Sequence, residues 1–180
     1  NIDVILVKHF FEPVAAGHYG VLSLLGKIIF FITGSVATVL FPTIVDRHSR
    51  NEDYSLILKY SVFLVMLGSS TMTALYFLFP KFIINFLFGA SYLSVVPYLG
   101  SFGIVMALFS LINLLVVYNL SIKKTKFVTI LIFGLITEVG LIYFYHDNIW
   151  QVVHTMLFSM SLILFFLLLF HYFSKSDKIK

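Results

Sequence analysis

Five long stretches of the chain are almost unbroken in apolar residues, and short polar stretches separate them. The apolar runs cover residues 19–41, 54–79, 95–118, 126–145 and 149–173. A helix needs about 20 mostly apolar residues to cross about 30 Å of hydrocarbon, and each run meets that length. Barrel strands would instead show segments of about ten residues alternating in polarity. The pattern therefore predicts an all-α, polytopic transmembrane helical bundle. A sixth apolar segment, 1–11, would rise only about 16 Å as a helix. It lacks an initiator Met and opens in mid-pattern. It reads as the outer half of a truncated span, so the expectation is five complete spans plus one partial span, with no signal-peptide layout.

The polar stretches carry turn chemistry. Glu12-Pro13 to Gly17 predicts a tight turn, Pro42 the end of the second span and Pro80 the end of the third. Residues 46–53 are the most polar stretch. The segment 81–88 is too short to cross; it predicts an interfacial helix, with a kinked continuation of the third span as the other reading. Connectors this short place sequential helices antiparallel in one bundle, 1–173, followed by a polar tail, 174–180.

Composition narrows the class further. Of 180 residues, 60% are hydrophobic and 11% charged, against about 45–50% and about 25% in soluble domains. A mean hydropathy of +1.02 excludes an ordinary soluble domain and a disordered chain. With no cysteine there is no disulfide framework and no thiolate site. The net charge of +4 is unevenly placed. Arg47 and Arg50, then Lys123, Lys124 and Lys126, then Lys175, Lys178 and Lys180 fall at every second connection, while the intervening connections hold Lys81 alone. Basic loops favour the cytoplasmic side, so the expectation is a multi-pass protein of the cell membrane with a cytoplasmic C-terminus. The ten tyrosines lie near predicted span ends and Trp150 opens the last span, as an interfacial aromatic belt would require.

Charges within the apolar runs are the candidates for function, because a mid-bilayer charge costs about 2.5–3.5 kcal/mol on insertion scales. Asp3, Lys27 and Glu138 are the deepest, with Lys8 nearer a border. Measured from the first turn, Asp3 and Lys27 lie at nearly equal depth on antiparallel neighbours, so they pair directly or both face a wet cavity. Asp3 and Lys8 do not share a helix face, since five residues turn about 500°. Gly20, Ser23, Lys27, Gly34 and Thr38 recur at helical spacing on one face, as a cavity-lining helix would carry. Close packing through small residues is the other reading. Glu138 would line the same cavity, couple transport or hold a packing contact. Asn113 reads as an interhelical hydrogen bond, and Gly68-Ser69-Ser70-Thr71 as a close-packing patch or kink.

No phosphate-binding Gly loop, nucleophile elbow or His-Glu-x-x-His occurs, and the six histidines lack ligand spacing. Nothing implies a metal, a cofactor or an enzyme. The basic loops are too short for nucleic acid. The sequon at Asn119 falls on the expected cytoplasmic side and is discounted.

Several ordered stretches are similar to a known family. Residues 1–11 (NIDVILVKHFF), 16–31 (AGHYGVLSLLGKIIFF), 39–42 (VLFP), 87–92 (LFGASY) and 119–126 (NLSIKKTK) resemble bacterial Wzx-type polysaccharide flippases of the multidrug/oligosaccharidyl-lipid/polysaccharide exporter superfamily. The resemblance runs to about residue 126, and the last two spans add only hydropathy. It implies the C-terminal lobe of a MATE-like, two-lobed transporter whose N-terminal lobe lies outside this chain. It also implies passage of undecaprenyl-pyrophosphate-linked oligosaccharide across the membrane by alternating access. Lys27 matches a recurrent basic position that receives the anionic head group, and Asp3 a recurrent acidic one; Ser23 and Lys8 are further substrate-contact candidates. A multidrug or cation antiporter of the same superfamily, a membrane-embedded glycan ligase or acyltransferase, and a non-transporting scaffold are the alternatives.

Overall fold

Proline decides where the first long helix begins. The structure, a computed structural model, describes residues 2–176, with side chains through residue 173. Helix α1 (Ile2–Phe10) gives way at Phe11–Glu12, and α2 (Pro13–Ser49) starts directly on Pro13. Glu12 is extended, with φ −55° and ψ 147°, the conformation favoured for the residue before a proline. Pro13 occupies the first helical turn, where its missing N–H removes no bond. The turn is thus two residues long, and the expected turn through Gly17 is helix instead.

Pro42 also departs from expectation. It lies inside α2, which continues to Ser49. A proline interrupts one backbone hydrogen bond, and a helix with packed turns on both sides absorbs that loss. Leu40 and Ile44 on either side are buried. At about 1.5 Å per residue, α2 is about 55 Å long, well beyond a bilayer's apolar core.

The remaining helices are α3 (Ser55–Leu78), α4 (Pro80–Phe88), α5 (Val96–Ser121), α6 (Val128–Phe144) and α7 (Ile149–Ser176), with a 3₁₀ segment at Ala90–Val95 leading into α5. Asp53 ties down the start of α3: its carboxylate accepts the Ser55 backbone N–H at 2.8 Å and the Ser55 hydroxyl at 2.9 Å. Phe79 separates α4 from α3, so the 81–88 segment is a distinct helix rather than a continuation. Gly89 then turns the chain with φ +86°, a value that favours glycine. The predicted tail 174–180 falls largely outside the described residues.

Four helical stretches are long and apolar enough to cross a membrane: Pro13–Ser49, Ser55–Leu78, Ala90–Ser121 and Ile149–Phe173. The expected span 126–145 is shorter in fact, a 17-residue helix, because Lys126 and Phe127 belong to the preceding turn. The outward surface is greasy: Ile5, Phe31, Phe86 and Phe144 are each at least two-thirds exposed. Continuous apolar exposure of this kind marks a surface solvated by lipid rather than water. The protein is an all-α, membrane-embedded helical bundle.

Helix α5 is the hub. It packs against α2, α3 and α7, while α6 packs on α7, and α1 bridges α2 and α6. The helices α1, α2, α5, α7 and α6 therefore close a ring, with α3 outside it against α2 and α5. Specific contacts fix the ring. Phe10 stacks on His146 with centroids 4.1 Å apart, joining α1 to the end of α6. The Thr33 hydroxyl donates to Ser110 Oγ at 2.8 Å, joining α2 to α5. The Tyr76 hydroxyl donates to the Leu25 carbonyl at 2.7 Å, pinning α3 on α2.

Tyrosine placement corrects the belt expectation. Tyr19, Tyr76 and Tyr118 are buried in the core. A tyrosine near a helix end is equally suited to carrying one hydroxyl to a buried partner, as Tyr76 does.

Candidate functional site

Inside the five-helix ring lies a cavity of about 210 Å³. Asp3 from α1, Ser23 and Lys27 from α2, and Glu138 from α6 all line it, together with Phe102 and Met106 of α5 and Met156 of α7. The chain thus gathers in one place four of the residues nominated from sequence. Asp3, Ser23 and Glu138 are buried, and Lys27 is half-buried. Lys8 is exposed on α1 and does not line the cavity. Its position five residues from Asp3 turns it to another face, as the helical geometry required.

Helix direction brings Asp3 and Lys27 together. Measured from the two-residue turn, Asp3 lies about 12 Å down α1 and Lys27 about 22 Å down α2. Side chains on a helix tilt toward its N-terminus. On α2 that direction runs back toward the turn, and on α1 it runs away from it. The long lysine stem and the aspartate therefore approach each other across the difference in depth.

They share the cavity without locking. Among the described residues Lys27 forms no hydrogen bond and no ion pair. Asp3 is engaged elsewhere: the Tyr19 hydroxyl donates to its Oδ2 at 2.9 Å and lies 3.1 Å from Met156 Sδ. Tyr19 is wholly buried, so one side chain of α2 braces α1 and α7 together at the cavity edge. Hydrogen bonds to charged groups contribute about 1.5–3 kcal/mol. Tyr19→Phe keeps the ring and removes the donor, so thermal unfolding in detergent is expected to show a loss in that range, about 2 kcal/mol. An unchanged midpoint would show that the bond carries no net stability.

Two features depart from the sequence reading. The stripe on α2 does not serve a single chamber: Ser23 and Lys27 line the charged cavity, whereas Gly34 and Thr38 line a second, larger groove of about 650 Å³ with Phe30, Phe41 and Asn113. Asn113 makes no interhelical hydrogen bond among the described residues. Asn119, two turns on, is buried and donates to the Leu115 carbonyl at 2.8 Å, inside its own helix.

Compared with family models, curated proteins and solved structures, the chain matches none. The residues missed from sequence are the apolar walls. Met156 and Met160 lie four apart on α7, and Phe102, Met106 and Phe109 follow helical spacing on α5. Nothing in an all-apolar run distinguishes a face that lines a cavity from one that meets lipid. No group of three or more His, Asp or Glu suited to a metal occurs among the described residues.

Chemically, the cavity offers one ammonium without a hydrogen-bond partner among the described residues, two carboxyl groups and a hydroxyl inside an apolar ring. An ammonium in such surroundings attracts an anion more strongly than it would in bulk water. Asp3 and Glu138 line the same cavity, so an anion bound at Lys27 would lie beside two carboxyl groups.

Proposed function

We propose that this chain is one lobe of a Wzx-type flippase, carrying lipid-linked oligosaccharide across the cytoplasmic membrane by alternating access. The observation that carries the reading is Lys27: a half-buried cation, without a protein partner among the described residues, in a cavity lined by five helices of a membrane bundle. An intramembrane charge of this kind is retained for function more often than for packing. The cargo's pyrophosphate would pay a large desolvation penalty as a bare ion in hydrocarbon. Lys27 lowers that penalty, while the polyprenyl tail stays in lipid. Rocking of this lobe against a second one would expose the cavity to each side in turn. Helix α6 is then a short fifth span and α1 part of a sixth, with the basic loops and C-terminus in the cytoplasm. Asp3 and Glu138 are the candidates for coupling, since they line the same cavity as Lys27.

A second reading is favoured by those carboxylates. Asp3 and Glu138 give the cavity two carboxyl groups against one amine, which suits an antiporter of cationic drugs. Reconstitution separates the two. Proteoliposomes of the intact protein are expected to move a fluorescent undecaprenyl-pyrophosphate-linked oligosaccharide between leaflets and not to concentrate a cationic dye. Dye accumulation without glycan movement would replace the flippase reading with the antiporter, and neither activity would remove both.

A further inference from the structure

We propose that Glu138 is a proton-binding site, and that its proton is taken up together with an anion at Lys27; this rests on the reading of Lys27 as an anion site. Glu138 is the single carboxylic side chain of α6 (Val128–Phe144). It is 6% exposed and lines the charged cavity. Among the described residues it makes no hydrogen bond and no ion pair. The unpartnered side-chain polar atoms closed off from any space are Thr73 Oγ1 and Ser159 Oγ. The Glu138 oxygens are not of that kind, so its carboxyl opens onto the cavity. A carboxylate there would bear the desolvation of a bare charge, and the carboxylic acid would not. A buried carboxyl with no protein donor and with open space before it can take a proton and return it.

Asp3 is placed differently. The Tyr19 hydroxyl donates to its Oδ2 at 2.9 Å, so that carboxyl has a fixed protein donor where Glu138 has none. Asp3, Tyr19 and Glu138 stand near enough to act on one another electrostatically. Lys27 of α2 is the other titratable group on the cavity wall among the described residues. From α5 and α7 the wall is phenylalanine, valine and methionine only, and His154 of α7 is exposed outside it. An anion at Lys27 adds negative charge to this apolar space, beside both carboxyl groups. A neighbouring negative charge disfavours the ionised form of a carboxyl, so the anion favours the proton on Glu138. By reciprocity the proton strengthens the anion's binding by the same factor. The step balances simply: one proton leaves solvent for a Glu138 carboxylate oxygen as one anion leaves solvent for Lys27.

Sulfate is the probe, because it stays a dianion throughout the range and brings no titration of its own. It is titrated calorimetrically into the intact protein in nanodiscs of neutral lipid. Affinity is expected to be about tenfold weaker at about pH 9 than at about pH 6, within the usual span of coupling between two bound ligands. On the falling limb, binding is expected to take up about one proton, read from the heats in two buffers of different ionisation enthalpy. Glu138→Gln and Glu138→Met are each expected to bind sulfate equally at both ends of the range and to take up no proton. Asp3→Asn is expected to keep the pH dependence. A fall that persists in the Glu138 variants belongs to another group and overturns the proposal, as does a wild-type affinity that does not change with pH. Sulfate binding that survives Lys27→Met lies elsewhere and overturns it too. Binding that is lost in Lys27→Met but indifferent to pH leaves the anion site standing and removes only the proton. No sulfate binding at any pH removes the anion site itself, and the flippase reading loses the observation that carries it.

Discussion

Lys27→Met is expected to abolish transfer of lipid-linked oligosaccharide while the protein still inserts and folds. The cargo would lose its one ammonium partner in the cavity, and charge-assisted hydrogen bonds contribute about 1.5–3 kcal/mol. That range corresponds to a loss of about 10- to 100-fold in affinity for undecaprenyl pyrophosphate. Lys27→Arg keeps the charge and is expected to retain partial transfer, reduced because a planar guanidinium presents its donors differently. Stability separates this role from a structural one. If Lys27 existed to neutralise Asp3 and Glu138, its removal would leave two carboxylates uncompensated in an apolar ring, and the unfolding midpoint would fall. A cation kept for cargo is an unfavourable burial in the resting protein, so Lys27→Met is expected to hold or raise that midpoint. Transfer at the wild-type rate in the Met variant would end Lys27's role in the head-group site.

Hydropathy made the architecture legible because lipid imposes length. The apolar runs required helices of about 20 residues, and α3, α5 and α7 track those runs closely. What hydropathy could not supply was the behaviour of proline. Pro13 and Pro42 are the same residue type, yet one opens α2 and the other sits unmarked within it. The difference lies in the packing of the neighbouring turns: Ile44 beyond Pro42 finds a buried seat, so tertiary contact carries the helix through. Tyrosine was ambiguous for a related reason. Its amphipathic ring satisfies an interface or a buried acceptor, and only the acceptor's position in space distinguishes Tyr76 from Tyr143.

The site was legible to the extent that charge is rare in lipid. Asp3, Lys27 and Glu138 stood out against apolar neighbours, and the fold brings all three to one cavity. Their convergence depends on the ring closure of α1 with α6, a contact between distant parts of the chain that no local pattern encodes. The division of the α2 stripe between two chambers was equally invisible. It depends on Phe30 meeting Phe109, and phenylalanine in an apolar run carries no signal of its partner.

Gly26→Ala and Gly34→Ala make the same chemical change on the same helix, and opposite outcomes are expected. A Cβ at Gly26 would lie 2.7 Å from Met106 Cγ and overlap the Phe102 ring. Phe102 is itself buried, against Tyr19 at 5.9 Å between centroids, and borders the charged cavity that it lines. Either the ring turns into that cavity or α2 moves away from α5, and overpacking of this kind costs about 1–3 kcal/mol. Because Gly26 precedes Lys27, either change alters the space around the ammonium, so head-group binding is expected to fall together with stability. Gly34 meets nothing. There the added methyl removes backbone freedom from the unfolded chain and is expected to stabilise the helix by up to about 1 kcal/mol. Unfolding midpoints in detergent for the two variants test the packing directly. Equal midpoints would mean that α2 and α5 do not approach as closely as the Gly26–Phe102 contact requires, and with that contact would go the apolar wall that α5 gives the charged cavity.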